Sequence, residues 1–262
     1  MALAVALSGC GKGKSPGGAK ADSANPGAEA TASLVSNKLA AIAAAGEPVT
    51  LEELNQWYAE PPEGQNAARV YTRAFDALTG TPKTDEAKSP AFLARNQKAL
   101  ALLLQAAELK SCRYPVALEE GASAKLPHLS KIKTCAWLLQ GEAINQASHS
   151  RTDASTKALL AGVSLARSVQ NEPLLISFLV ENSCLSIMFQ GLEQALTHRA
   201  FTEDQLLSLQ AALQDAESYA SSRRALVGER AEVISHFQMS PEEWAKAWTE
   251  AGTNVSQSVY EK

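Results

Sequence analysis

LLISFLVENSCLSIMFQGLEQAL, residues 174–196, is the stretch that decides the fold. Leucine, isoleucine, phenylalanine and methionine occupy nearly every side of a helix drawn through it, and the stretch is too long for an ordinary strand. A helix that is apolar all round belongs in the interior of a protein, so this stretch is predicted to be the central and most buried helix. Glu181, Asn182 and Ser183 interrupt the apolar run, and for that reason we do not predict a membrane span here.

Helix-start signals lie on both sides of this stretch. Thr50 with Glu53, and Thr202 with Gln205, are capping boxes, in which each side chain satisfies a backbone N–H group of the other residue. Alanine and leucine, both strong helix formers, dominate the composition, and no stretch alternates as a strand does. The chain is therefore predicted to be all-α over residues 33–252, with antiparallel helical hairpins stacked as an irregular repeat or as a bundle.

The N-terminus reads MALAVALSGC, and its last four residues, Leu7-Ser8-Gly9-Cys10, resemble a bacterial lipobox. This resemblance implies cleavage before Cys10 and lipidation of its thiol, so residues 1–10 would be a signal-like segment. Residues 11–32 are predicted to be a disordered tether, because they hold too little apolar surface to offset the entropy of ordering. The polar residues 253–262 are predicted to be a frayed tail. The alternative to lipidation is an accidental Gly-Cys pair, since the apolar run is short and no Lys or Arg precedes it.

Charge and cysteine usage argue against several classes of function. The net charge is -4 and the chain has no basic stripe, so we predict that it does not bind nucleic acid. Its four cysteines form no Cys-x-x-Cys pair, which argues against a zinc ribbon and a thioredoxin-type site. Cys112, Cys135 and Cys184 are interpreted as buried small hydrophobic residues. A Cys112–Cys135 disulfide is the alternative.

No pattern of residues identifies a reaction. No two of the four histidines are one helical turn apart, as a helical zinc site requires, and the chain has no Gly-x-Ser-x-Gly elbow. We therefore predict no catalytic residue, no metal and no cofactor. The alternative is an envelope hydrolase whose site is assembled from scattered residues such as His128, Glu181 and Arg230. A deep pocket in which at least two of these side chains converge would favour the enzyme.

Two aromatic pairs form the candidate interaction surface. Trp57 and Tyr58 precede a diproline turn, and Trp244 and Trp248 lie one helical turn apart near the C-terminus. Aromatic side chains are enriched at the energetic centres of protein interfaces. They are also ordinary anchors of a core, so core packing is the alternative interpretation.

Five segments of the chain resemble an uncharacterised all-helical, lipoprotein-like envelope family of planctomycete and verrucomicrobial bacteria. They are GEPVTLEEL (46–54), PPEGQNAA (61–68), CRYP (112–115), LPHL (126–129) and LLISFLV (174–180). The likeness extends over most of residues 39–237. It implies an envelope location but no activity, so no functional residue is carried over. Together with the lipobox, it predicts a protein tethered to a membrane at the periplasmic or outer face of the envelope. Such a protein would bind an unknown envelope protein rather than catalyse a reaction.

Overall fold

The computed structural model describes residues 26–80, 86, 89–217, 220–240, 242, 245–246 and 249. Its α-helices, in chain order, are α1 (Pro26–Ala44), α2 (Leu51–Trp57), α3 (Ala68–Ala77), α4 (Pro90–Arg95), α5 (Gln97–Ala107), α6 (Pro127–Ser148), α7 (Thr152–Ala166), α8 (Leu175–His198), α9 (Glu203–Ala216) and α10 (Ala220–Gln238). Short 3₁₀ segments cover Leu118–Ser123 and Arg167–Val169. Within these residues the only β-type pairing is an isolated bridge between Asn66 and Ser111. The prediction of an all-α chain is confirmed.

Both predicted capping boxes are present. The Thr50 hydroxyl accepts a hydrogen bond from the backbone N–H of Glu53 at the start of α2, and the carboxylate of Glu53 accepts one from the backbone N–H of Thr50. Thr202 and Gln205 make the same pair of bonds at the start of α9. Each box satisfies donors that the first helical turn leaves unpaired, which fixes where these helices begin.

Helices α6, α7 and α8 form the centre of the fold, and each packs against the other two. Ile132 and Leu139 of α6 and Leu165 of α7 are fully buried there. The close approach of α7 to α8 requires a glycine, because a Cβ atom on Gly162 would lie 1.9 Å from the Sδ atom of Met188. The arrangement of the helices as stacked antiparallel hairpins, in an irregular repeat or a bundle, stays a prediction.

Helix α8 is buried on one side only, so the prediction that it is the most buried helix is wrong. Its buried residues form one inner side, which packs mainly against α6 and α7, although Glu181 bonds to Ser221 of α10: Ser177, Glu181, Cys184, Ile187, Met188, Gly191 and Ala195. On the opposite side Leu179 and Phe189 are 53% and 43% exposed. The sequence is apolar all round, but the described helices cover only the inner side and, through α10, a flank near the N-terminal end.

The described residues from 42 onward form one compact unit, and the described residues up to 41 belong to another. Helix α1 begins at Pro26, so residues 26–32 are helical. The prediction that these residues belong to a disordered tether is therefore wrong. Proline at the first helical position and the alanines after it favour a helix locally, and no residue from 30 to 41 is buried. Cys10, the rest of the tether and the predicted tail at 253–262 lie outside the described residues.

Candidate functional site

The exposed side of α8 carries a regular row of residues, which we call the outer face of α8. It consists of Leu175, Leu179, Asn182, Ser186, Phe189, Glu193 and Leu196, all of them exposed. Their spacings alternate between four and three residues, so they lie along one side of the helix for about 32 Å. Four of the seven are large apolar residues. An apolar row of this length on the surface of a folded domain marks a place where another molecule can pack.

Asn182 and Ser186, in the middle of the outer face, each donate a hydrogen bond within the helix. The Asn182 amide donates a hydrogen bond of 2.8 Å to the carbonyl of Phe178. The Ser186 hydroxyl donates one of 3.0 Å to the carbonyl of Asn182. Covering a polar group is costly when its hydrogen bonds to water are lost without replacement. These donors keep their hydrogen-bond acceptors within the helix, so covering them with a packed neighbour costs less desolvation free energy.

Charged side chains are sparse on α8, and its one basic side chain is His198 in the last turn. The helix contains no Lys or Arg, and Glu193 is the only acidic residue on the outer face. Among the described helices α8 is the one long and apolar enough to cross a membrane, but its inner side packs against α6 and α7 as a core helix does. Helices that lie on a membrane surface are rich in Lys and Arg on their polar side. The outer face of α8 does not carry these side chains.

A second exposed surface lies on α10. Leu226, Val233 and Phe237 recur on one side of this helix, and Phe237 is 85% exposed. Beside them, Arg223 and Arg230 each donate to the carboxylate of Glu47, over 2.5 Å and 2.8 Å. The hydrogen bond from Arg230 is the largest influence on Glu47 and lowers the pKa of this carboxyl group. A cavity of about 460 Å³ opens next to the three charged residues.

The aromatic residues predicted to form an interaction surface have separate outcomes. Tyr58 is 1% exposed, and its hydroxyl accepts a hydrogen bond from the backbone N–H of Tyr114, so the prediction is wrong for this residue. Trp57 is half-buried beneath the guanidinium of Arg224, which lies 4.2 Å from the centre of its ring. This is a cation–π contact between α2 and α10. Trp244 and Trp248 lie outside the described residues.

A buried polar network that sequence reasoning missed joins His128 to Glu172. The Nε2 atom of His128 lies 2.9 Å from Oε2 of Glu172, and the Ser177 hydroxyl donates to Oε1 over 2.5 Å. Tyr114 stacks on the imidazole ring with 4.4 Å between ring centres. The carboxylate of Glu172, and not the imidazole of His128, accepts the hydrogen bond from the serine, so the arrangement is not a serine–histidine pair. All four side chains are buried, which makes the network a structural element of the core. His128 and Glu172 are 44 residues apart, and no local pattern could have linked them.

The three residues of the hydrolase alternative do not converge. His128 pairs with Glu172, and Arg230 pairs with Glu47. Glu181 is 3% exposed. Burial, partly opposed by a hydrogen bond from Ser221 and by the charge of Arg167, raises its pKa from 4.5 to about 7. None of the four cavities described for this part of the chain is lined by two of the three residues.

The three cysteines of the folded part are free thiols, so the alternative of a Cys112–Cys135 disulfide is wrong. Cys135 and Cys184 are fully buried, as predicted. Cys112 is half-buried at the wall of a cavity of about 380 Å³. Burial raises the pKa of all three thiols to about 12. At neutral pH they are protonated and therefore poor nucleophiles.

Neither a search for metal-binding clusters nor comparison with known proteins identifies a further site. Among the described residues no three His, Cys, Asp or Glu side chains are grouped as a metal site requires. The chain matches no protein-family model, and no similar curated protein or solved structure was found.

Proposed function

We propose that this protein is a lipid-anchored, non-catalytic binding module of the bacterial cell envelope, and that it engages another protein through the outer face of α8. The observation that carries this proposal is the exposure of an apolar row along the whole of α8, the most apolar long helix of the fold. Large exposed apolar patches are uncommon on monomeric soluble proteins and are often functional. The residues of the row are spaced four and three apart, which is the spacing through which two packed helices contact each other.

The anchor and the envelope location depend on the N-terminal sequence. Leu7-Ser8-Gly9-Cys10 supplies the thiol for lipidation, and lipoprotein processing supplies the several acyl chains that stable anchoring needs. The resemblance to the uncharacterised planctomycete and verrucomicrobial envelope family agrees with this location. An anchored binding module needs no active site. His128 and Ser177 are buried in the core, and so are the thiols of Cys135 and Cys184.

Photocrosslinking in the native bacterium tests the binding surface. A photoreactive amino acid replaces Leu179 on the outer face in one strain and Leu207 on α9 in a control strain. The two leucines are 53% and 55% exposed, so they are matched for accessibility. We expect a discrete protein adduct from position 179 and none from position 207. Equal adducts from both positions, or none from position 179, would contradict the proposal.

A further inference from the structure

The cavity of about 380 Å³ beside Cys112 lies at a different place in the fold from the outer face of α8. Its wall is formed by the start of α3, the end of α5 with the residues after it, the 3₁₀ segment that follows α7, and the end of α9. We propose that this cavity binds a small organic carboxylate. No residue of α8 is among the described residues that line it, so this site goes beyond the proposed function and does not depend on it.

The size and the lining of the cavity suit a small molecule. Its volume lies within the range of about 300–1,000 Å³ that is usual for ligand sites. Ala107 and Leu109, both half-buried, give part of the wall an apolar surface. The polar part of the wall includes side chains that can donate hydrogen bonds: Lys110, Ser164, Arg167, Gln170 and Asn171. Apolar surface with a few polar groups is the usual composition of a small-molecule site.

The charge of the wall favours an anion. Among the described lining residues, Lys110 and Arg167 are cations and Asp215 is the one carboxylate, so the wall carries a net positive charge in a chain whose net charge is -4. The Cys112 thiol adds no charge at neutral pH, because burial raises its pKa to about 12. A single excess positive charge matches one carboxylate. A phosphate group carries about 1.5 to 2 negative charges, and Asp215 would repel it more strongly.

Arg167 is held in position and still has donors for a ligand. Its Nε group donates a hydrogen bond of 3.0 Å to the side-chain oxygen of Gln170, and its Nη1 group donates to the carboxylate of Asp215. No described residue accepts a hydrogen bond from its Nη2 group, and the side chain is 25% exposed. A guanidinium group binds a carboxylate through N–H groups of fixed geometry, so Nη2 can hold the ligand. Asp215 is 68% exposed and can move aside for the ligand.

Hydrogen bonds behind the wall hold the cavity in one shape. The hydroxyl of Ser168 lies 3.1 Å from the buried hydroxyl of Tyr114. The backbone N–H of Ala67 donates to the carbonyl of Ser111 over 2.8 Å, which ties the loop that carries Cys112 to the start of α3. A site that is formed before its ligand arrives loses less conformational entropy on binding.

Ligand-observed NMR tests the proposal, with benzoate as the probe and benzamide as its neutral counterpart. Benzoate combines a carboxylate for Arg167 with a ring that can pack on Leu109. The samples are the full chain with Cys10→Ala, so that no acyl chain contributes. We expect saturable binding of benzoate and at least about tenfold weaker binding of benzamide, because only benzoate pairs its charge with the guanidinium. No saturable binding of benzoate, or equal binding of both probes, would overturn the proposal. Displacement of benzoate by an equal concentration of inorganic phosphate would overturn the choice of a carboxylate.

Four variants assign the binding to the charged residues of the wall. Arg167→Gln should weaken benzoate binding at least about tenfold, and Lys110→Gln about two- to fivefold. Lys110 is exposed, so its variant keeps the test valid even if Arg167→Gln does not fold. Lys98→Gln, at an exposed lysine of α5 that does not line the cavity, is the control and should bind as before. Asp215→Asn removes the competing carboxylate and should tighten binding about two- to fivefold, an effect that a loss of folding cannot produce. Unchanged binding in both Lys110→Gln and Asp215→Asn would overturn the proposal.

Protection of a thiol tests whether the probe occupies this cavity. Cys112 lies at the cavity wall, whereas Cys135 and Cys184 are fully buried. Benzoate at its dissociation constant should lower the rate at which Cys112 reacts with methyl methanethiosulfonate to about half. The same concentration of benzamide should leave the rate unchanged. An unchanged rate at saturating benzoate would place the probe elsewhere and overturn the proposed site.

Discussion

Replacing Glu181 by glutamine should remove a pH dependence of stability that this one side chain imposes. Glu181 lies on the inner side of α8, 3% exposed, where its contacts include a hydrogen bond with Ser221 of α10 and the more distant charge of Arg167. One of its carboxylate oxygens is buried without a hydrogen-bond partner. Burial therefore disfavours the charged form and raises the pKa from 4.5 to about 7.

The sign of the effect follows from this raised pKa. Between pH 4.5 and 7 the folded protein holds a proton on Glu181 that the unfolded chain has released, so stability falls as the pH rises through this window. Below this window Glu181 is protonated in both the folded and the unfolded state. Above it Glu181 is ionised in both states, so the loss of stability no longer changes with pH. For these two pKa values the loss between pH 5 and pH 8 is about 2–3 kcal/mol.

Urea denaturation at pH 5 and pH 8 measures this loss. The free energy of unfolding of the unsubstituted protein should fall by about 2–3 kcal/mol more than that of Glu181→Gln between the two pH values. A destabilisation by the glutamine amide that is the same at both pH values cancels when the changes in the free energy of unfolding are compared. Glu193→Gln, at an exposed carboxyl group on the same helix, serves as the control and should keep the pH dependence of the unsubstituted protein. The same pH dependence in Glu181→Gln, within about 0.5 kcal/mol, would refute the assignment of a buried, protonated carboxyl group.

Three further predictions follow from the fold and the N-terminus. Cys10→Ala, expressed from the natural start codon, should move the protein from the membrane to the soluble fraction, and an unchanged membrane pellet would contradict lipid anchoring. Ile132→Ala should lower the free energy of unfolding by about 2–5 kcal/mol because Ile132 is fully buried. Leu179→Ala, at an exposed residue, should lower it by less than about 0.5 kcal/mol. Similar losses from both substitutions would show that α8 is covered on both sides. Gly228→Ala should destabilise the protein by about 1–3 kcal/mol in urea denaturation, because the added Cβ would lie 1.7 Å from the carbonyl oxygen of Pro173; a neutral effect would contradict the close contact of α10 with this turn.

The all-α fold could be predicted from the sequence because its signals are local. A capping box such as Thr50 with Glu53 requires only residues of one turn, and the same holds for proline at the start of α4. The exposure of α8 could not be predicted in this way. Its sequence is apolar on every side, so nothing within it distinguishes the side that α6 and α7 cover from the side that they leave open. The beginning of α1 was not predicted because residues 26–32 offer little apolar surface to bury. Their alanines nevertheless form a helix through their intrinsic helix propensity.

The polar contacts were missed for a different reason. Arg223 reaches Glu47 from 176 positions away in the chain, and only the folded backbone brings them together. Tyr58 illustrates the same limit, since its position next to a diproline turn suggested exposure. The backbone N–H of Tyr114, 56 residues away, satisfies its hydroxyl in the core instead. Residue type therefore indicated candidates such as His128 and Glu181 but not their neighbours.

Thiol labelling in intact cells tests the central claim, that the outer face of α8 is occupied in the envelope, most directly. Leu179→Cys and Leu207→Cys are each exposed to a small maleimide, in cells and as the dilute purified protein. Cys112, Cys135 and Cys184 give little background because burial raises the pKa of their thiols to about 12. We predict that position 179 is protected in cells but labelled in the dilute protein, while position 207 is labelled in both. Equal labelling of position 179 in cells and in the dilute protein would contradict the claim.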